Sequence, residues 1–328
     1  MKECTATGKA KIAVLMATYN PRMDWLREQL LSLNAQDYPN LVLHIRDDCS
    51  PKVALEDIAR CAEECITAFE YTIEQNEKNL GSNLTFERLT RECGEGEYYA
   101  YCDQDDVWHA NKLSTLQAAM ESEGAFLTCS DMCVIDGEGK KTADSITEVR
   151  RRHVFRSGDG LAEKLLVSNW VTGCTMLVRA EAAKAAVPFC PYMVHDQYIA
   201  LACADRGKII SLPDALIDYR IHGSNQTSTL TGVTDKASYL EVRIEQMRRR
   251  MRWLKDNFTC GESMRAVIDN GIRWADARRE HWLHKGGTAE VCKYRYFSKY
   301  AAVFELVTAY CPEWLFHFAV GLIKKDKL

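Results

Sequence analysis

The chain has 328 residues, 47% of them hydrophobic, and a formal net charge of -4. That length supports one large domain with an appendage, or two small domains, and the mildly acidic balance argues against a nucleic-acid-binding protein as a whole. No apolar run reaches the roughly eighteen residues that a transmembrane helix needs, and the opening MKECTATGKAKIAV lacks the apolar core of a secretory signal. A soluble or membrane-peripheral protein in a reducing, cytoplasmic compartment is therefore expected. Its fourteen cysteines read mostly as small core hydrophobes, since Cys102, Cys129, Cys174 and Cys203 sit within apolar runs. With no Cys-x-x-Cys pair, and no cysteine partners for His281 and His284, a structural zinc site is not expected.

Lys11–Tyr19, KIAVLMATY, is a short continuous apolar run closed by Asn20-Pro21, the pattern of a strand buried on both faces of a parallel sheet. Trp25, Leu26, Gln29, Leu30 and Leu33 then supply helical spacing. A second strand over Leu41–Ile45 ends in Arg46-Asp47-Asp48-Cys49-Ser50-Pro51. A helix over about 54–68 and a strand over Tyr71–Glu74 follow. Next come a polar loop, Asn76–Ser82, holding Gly81, and a helix over Asn83–Glu92. Strands alternating with helices at this spacing predict a doubly wound α/β sheet, whose ligands bind beyond the carboxyl ends of the strands.

The fourth strand is the stretch Tyr98–Trp108, YYAYCDQDDVW, an aromatic run that ends abruptly in Asp103, Asp105 and Asp106. Carboxylates packed this closely repel one another and resist desolvation, so a cation or a hydrogen-bonding ligand would neutralise them. Asp103 and Asp105 stand two apart and project to one side of an extended chain, and hard oxygens suit Mg2+ or Mn2+ better than zinc. Two readings stand at this point: a metal-diphosphate site, or a solvated Asp-rich turn capping a helix that starts near Asn111. Tyr19-Asn20, Asp47-Asp48, Asn76–Gly81 and Asp103–Asp106 all fall at strand ends, and four polar loops on one edge favour a nucleotide-sized crevice.

Beyond Asn111 a helix runs to about Met120, then a strand over Ala125–Cys129 and a turn at Asp136–Gly139. Glu148–Arg156, EVRRRHVFR, reads as an exposed basic loop. Gly173–Arg179 returns to a strand pattern, and His195-Asp196 precede an apolar helix over Gln197–Ala204. Lys208–Leu212 and Ala215–Ile221 read as two strands, the second running into Arg220, His222, Ser224 and Asn225. From Lys236 the pattern is helical only, with long amphipathic stretches over Tyr239–Asn257, Glu262–His284 and Ala289–Tyr310 and a last one from Pro312. Arg248–Arg252, RRRMR, forms a dense basic face. Residues 285–328 interleave aromatic and basic side chains, as helices lying in a membrane interface do, although aromatics at helical spacing more commonly pack against their own domain.

The stations AxYN after the first strand, Asp47-Asp48 after the second, Asn79-Leu80-Gly81-Ser82-Asn83, Cys102–Trp108 and His195-Asp196, in that order, resemble glycosyltransferase family 2 with the GT-A fold. The similarity covers roughly residues 10–230 and lies nearest the rhamnosyltransferase-like bacterial branch that builds cell-surface polysaccharide. It implies an α/β architecture, a doubly wound, mostly parallel mixed sheet flanked by helices over residues 1–230; the helical region over 231–328 matches only loosely and, from its own residues, is a candidate membrane-interface or oligomerisation element. It also implies an inverting hexosyltransferase that moves one sugar from dTDP-rhamnose or a UDP-hexose to a hydroxyl of a lipid-linked glycan at the inner face of the membrane. The family's frequent Gln-x-x-Arg-Trp element is absent, and without membrane-spanning helices a single addition is expected rather than polymer synthesis.

Roles follow by position. Thr18, Tyr19 and Asn20 would line the base and ribose pocket, Asp48 would bind the base or ribose, and Asn79, Gly81 and Asp106 would complete the donor site. Asp103 and Asp105, with His222, would hold Mn2+ or Mg2+. Asp196 would be the catalytic base, with His195 and Trp108 on the acceptor side. The chemistry asks for two carboxylate stations, one managing the charge of a diphosphate leaving group and one taking the acceptor's hydroxyl proton. An Asp before an apolar helix is also a good N-cap, and a histidine at a strand end is as often simply hydrogen-bonded. The alternatives are a nucleotide- or glycan-binding protein that kept the fold, and a nucleotidyltransferase; the latter normally wants an early Gly-rich phosphate loop, which residues 10–22 lack.

Overall fold

A computed structural model of the chain describes residues 8–223 and 230–324; Ser224 and Asn225 lie outside the described residues. Those residues divide into two compact units. The first runs to Leu165 and includes Asn169–Phe189 and Val194–His222; the second comprises Leu166–Ser168, Cys190–Met193 and the described residues from Gly223 on.

In the first unit, β1 (Ile12–Thr18), β2 (Leu41–Asp47), β3 (Glu70–Gln75) and β4 (Tyr98–Cys102) alternate with α1 (Met23–Asn34), α2 (Leu55–Cys65) and α3 (Ser82–Glu92). After β5 (Val107–Trp108) come α4 (Lys112–Glu123), β6 (Leu127–Ile135), β7 (Lys141–Ala143), the short α5 (Ile146–Val149) and α6 (Ala162–Leu165), and β8 (Met176–Arg179). The unit closes with α7 (Ala180–Ala185), α8 (His195–Arg206) and β9 (Ile209–Arg220). Among the described residues these nine strands form one sheet in the order β3-β2-β1-β4-β8-β6-β9-β5, with β7 added against β6.

Strand direction explains where the polar loops meet. β1 pairs in parallel with β2 and β4, and β2 with β3, so their carboxyl ends share one edge. β8 runs antiparallel to both β4 and β6, which restores the direction of β4 in β6, and β9 is parallel to β6. The end of β9 at Arg220 therefore returns to the edge where β4 ends at Cys102. β1, β4 and β6 are inaccessible along almost their whole length, as the continuous apolar runs require. The four core cysteines expected from the sequence are each at most 1% exposed.

Several boundaries differ from expectation. The two strands expected over 208–221 are one twelve-residue strand, β9. Pro213 is tolerated inside it because the register to β6 slips there, from Ser130↔Leu212 to Asp131↔Ala215, so no ladder hydrogen bond is demanded of it. The strand expected to begin at Gly173 begins at Met176, after a single 3-10 turn over Gly173–Thr175. Val107–Trp108 leaves the acidic turn as a two-residue strand antiparallel to β9. The basic loop is not wholly solvated, since Phe155 packs on the main core.

The second unit contains α9 (Lys236–Tyr239), a π-helical stretch over Leu240–Glu245, α10 (Gln246–Asn257), α11 (Glu262–Trp282), α12 (Thr288–Lys293), α13 (Lys299–Thr308) and α14 (Glu313–Lys324). Ala289–Tyr310 is thus two helices, because Ser298 caps a fresh N-terminus by accepting from the Ala301 amide at 3.3 Å. Its core stacks Tyr239 on Trp282 at 4.8 Å and sets Phe304 against Phe316 at 5.9 Å, and it encloses an Arg278–Glu305 ion pair to which Tyr239 adds a hydroxyl bond at 2.8 Å. RRRMR is not a free basic face. Arg248 pairs with Glu245 and Asp276, Arg249 with Glu241, and Arg252 with Asp276. Arg250 donates to the carbonyls of Tyr192 and Leu166, tying both returning segments to α10.

Candidate active site

Asp47 gathers the ends of three strands. It accepts from the Thr18 hydroxyl at 3.1 Å, from the Ser50 amide and hydroxyl at 2.8 and 2.6 Å, and from the Gln75 side-chain amide at 2.9 Å. Asp48 accepts from the Leu80 and Gly81 amides and from Asn76, each at 2.8 Å, and so closes the loop that Gly81, with φ of +82°, turns into α3. The Thr18 side chain is buried behind the edge with its hydroxyl bound to Asp47, and both oxygens of the buried Asp48 face loop donors rather than an open crevice. Tyr19 and Asn79, by contrast, are exposed. Asn20, at φ +44°, donates its amide to Ser50 at 2.7 Å and accepts from the Lys52 amide at 2.9 Å. Gln104 clamps the first loop to the acidic one: its Oε1 accepts from the Tyr19 amide at 2.7 Å and its Nε2 donates to the Tyr19 carbonyl at 3.2 Å.

The three carboxylates of the acidic turn face different partners. Asp105 Oδ2 lies 2.8 Å from His222 Nε2, so the end of β9 does reach this loop. Asp106 is 1% exposed; its Oδ1 accepts from the Arg220 amide at 2.9 Å and its Oδ2 has no hydrogen-bond partner. Asp103 turns toward Asp106 and Cys174, and the three offer ligand atoms all within 4.8 Å of one another. Burial and the Asp105 and Asp196 carboxylates push Asp103 up to about 7, while burial and its two neighbouring carboxylates hold Asp106 well above the usual carboxylate range.

Two cations missed at the sequence level brace this turn. Arg220, though 1% exposed, donates to the Asp105 and Asp136 carbonyls and pairs with Glu28 at 2.5 Å. The buried Lys112 donates to the Cys174 carbonyl with its ammonium 3.1 Å from the centre of the Trp108 ring, and burial brings it down to about 7. Trp108, expected on the acceptor side, is a core residue only 3% exposed. The available signals were an arginine ending a strand and a lysine opening an apolar helical pattern, both of which have ordinary surface explanations.

Asp196 sits in the first turn of α8, but Val194 is the N-cap and no side chain caps the helix, so the capping explanation does not hold. Its carboxylate accepts instead from Asn169 Nδ2 at 2.9 Å and the Gly173 amide at 3.0 Å, as well as from the next amide, Gln197, at 2.5 Å. Burial raises it to about 6 against these donors, which favour the charged form. His195 stacks on Phe86 at 4.2 Å, and burial takes it down to about 3, so it is a neutral, packed ring. A Cβ at Gly173 would come within 2.7 Å of His195 Nε2, so only glycine fits there. Gly173 thus touches Asp196 while its neighbour Cys174 joins Asp103 and Asp106, and one turn joins both carboxylate stations.

Residues 13–185 match the family model described as Glycosyl transferase family 2. The chain is a member of glycosyltransferase family 2. It is 25% identical over 234 residues to an uncharacterized glycosyltransferase of Nostoc sp., with 69% of each chain covered. It is also 25% identical over 232 residues to one of Haemophilus influenzae, covering 67% and 68%. Among solved structures the transferase is similar to S. aureus TarS 1-349 in complex with UDP-GlcNAc, at a TM-score of 0.57 and 17% identity over 91% of this chain and 79% of that one. Against the longer TarS structure it spans 97% of itself and 53% of that chain, about half its length. It is also similar to the mannosyltransferase PcManGT from Pyrobaculum calidifontis in complex with GDP-Man and Mn2+, at a TM-score of 0.54 and 15% identity over 98% and 87%. At these identities the likeness is one of fold: a mixed α/β sheet with flanking helices and a helical C-terminal region.

Proposed function

We propose that the transferase moves a single sugar from a nucleotide-diphosphate donor, dTDP-rhamnose or a UDP-hexose, to a hydroxyl of a lipid-linked surface glycan, with inversion at the sugar carbon. The observation that carries this reading is the convergence of Asp196 and the Asp103–Asp106 turn on the Gly173-Cys174 turn, since the reaction asks for a leaving-group station beside a proton acceptor. The UDP-GlcNAc and GDP-Man complexes of the structural neighbours support a nucleotide-sugar donor.

The donor set fits a hard divalent ion. Asp105 and His222 are 2.8 Å apart, Asp103 is raised by burial and then by crowded like charge, and Asp106 keeps one buried oxygen without a partner. Asp103 and Asp106, with Asp105 and His222 beside them, would hold Mn2+ or Mg2+, which when bound neutralises charge on the departing diphosphate. Tyr19, Asn20, Asn79 and Gly81 line the donor edge in this reading, with Asp48 shaping the loop from behind.

Asp196 is the base. Its Oδ2, with the Gly173 amide as its donor among the described residues, keeps a lone pair for the proton, while Asn169 and the Gln197 amide occupy Oδ1 and fix its direction. As the acceptor oxygen bonds to the sugar carbon, the carbon–oxygen bond to the diphosphate breaks and its electron pair leaves with the nucleotide. The acceptor's proton passes to Asp196. A screen of nucleotide sugars with Mn2+ or Mg2+, scoring released nucleotide in the presence of acceptor, tests the reading. Metal-independent turnover or retention of configuration would overturn it, and absence of nucleotide binding would favour a protein that kept only the fold.

A further inference from the structure

We propose that the outward face of α13 and α14 is a docking surface for an anionic lipid bilayer, on which the two helices lie flat. Tyr300, Val303 and Val307 recur at helical spacing on α13 and are 76%, 57% and 63% exposed, while Ala302, Glu305 and Thr308 of the same helix are buried. Tyr310, Trp314 and Phe318 continue the exposed apolar set through the connection and along α14, whose Phe316 and Val320 turn inward. The inner faces are accounted for, since Phe304 packs on Phe316 and Glu305 pairs with Arg278. Large apolar side chains on one helical face are otherwise buried in a water-soluble unit.

Charge decides between occupants. From Lys293 to Lys324 the exposed cations are Lys293, Arg295, Lys299 and Lys324, against Glu313 as the exposed acid. A two-fold contact with a second copy would set this basic rim near itself, whereas an anionic surface complements it. Tyrosine and tryptophan, with apolar bodies and polar tips, suit the headgroup boundary. Helices of 10 and 12 residues are about 15–18 Å long, too short to span a bilayer and suited to lie along it. No described helix is long and apolar enough to cross a membrane.

The proposal extends the reading of a lipid-borne acceptor, and its test contains no sugar donor, so the two fail separately. The full chain is floated with phosphatidylcholine vesicles with or without phosphatidylglycerol. It is expected to float with the anionic vesicles, less so at high salt, and to stay behind with phosphatidylcholine alone. The exposed pair Trp314→Glu with Phe318→Glu should lower the floated fraction at least about tenfold while leaving the far-UV circular dichroism unchanged. Arg295→Glu with Lys299→Glu should lower it on anionic vesicles. Flotation of the Trp314/Phe318 variant equal to that of the unaltered chain would overturn the proposal. So would a dimer by light scattering that this variant dissociates and that does not bind vesicles.

Discussion

The Gly173 amide donates to Asp196 Oδ2 at 3.0 Å from a position where any side chain would strike His195. Gly173→Ala must push the His195 ring off Phe86 or move the turn. The expected cost is about 1–3 kcal/mol of stability. Because Asp196 shifts with the turn, transfer is expected to fall about 10²-fold. Chemical denaturation and released-nucleotide assays on the same sample check both numbers. Wild-type turnover in this variant would detach the turn from catalysis.

Asp196→Asn removes the proton acceptor and keeps the shape, so transfer should fall by about 10²–10⁴-fold while binding of donor diphosphate with metal persists. The pH profile gives the sign independently. With Asp196 at about 6, the competent carboxylate is lost as pH falls, and the rate should drop on the acid side of about 6. Asn169→Ala removes a donor that favours the charged form and should move that limb to higher pH. A limb that stays in place would show that Asn169 does not tune the base.

Asp103 and Asp196 hold their protons more tightly folded than unfolded, so the stability they contribute is present at low pH. It is lost as pH rises from the model-peptide range through about 6 for Asp196 and about 7 for Asp103. A divalent ion offsets the charge only where the carboxylates are ionised. Mn2+ should therefore raise the melting temperature by about 3 °C or more at pH 8 and by little at pH 5. Asp105→Ala should abolish both the increment and transfer. Differential scanning fluorimetry across pH reads this, and an equal increment in the variant would remove Asp105 from the metal set.

Gln104 bonds both backbone groups of Tyr19, so Gln104→Ala frees the loop after β1 from the acidic turn. Loss of two exposed hydrogen bonds is expected to weaken donor binding roughly tenfold, seen as a rise in donor KM with a smaller change in kcat. An unchanged KM would make the clamp irrelevant to the donor.

In the second unit, Glu305→Gln leaves the Arg278 guanidinium buried without its counter-ion. A cost of about 3–5 kcal/mol is expected, read from the urea midpoint, and Arg278→Met with Glu305→Leu should recover most of it.

The sequence by itself determined the alternation of buried strands and amphipathic helices, the polar strand ends and the order of the carboxylate stations. These are local properties: continuous apolar runs, helical spacing and like charges crowded within four residues. His222 enters as a candidate metal ligand through resemblance, with a simply hydrogen-bonded strand-end histidine as the alternative. Tertiary structure decided what each polar group faces. Asp47 and Asp48, adjacent in the chain, go to three strand ends and to a loop, because successive residues of an extended chain point to opposite sides. Lys112 and Arg220 became braces because β9 runs in the direction of β4 and ends at the same edge of the sheet, and because Lys112 at the start of α4 reaches the Cys174 carbonyl. No local pattern distinguishes such cations from surface ones, since their partners lie 62 and 115 residues away in the chain. Trp108 went into the core for the same reason: its neighbours are set by pairing with β9, not by the acidic residues beside it in sequence.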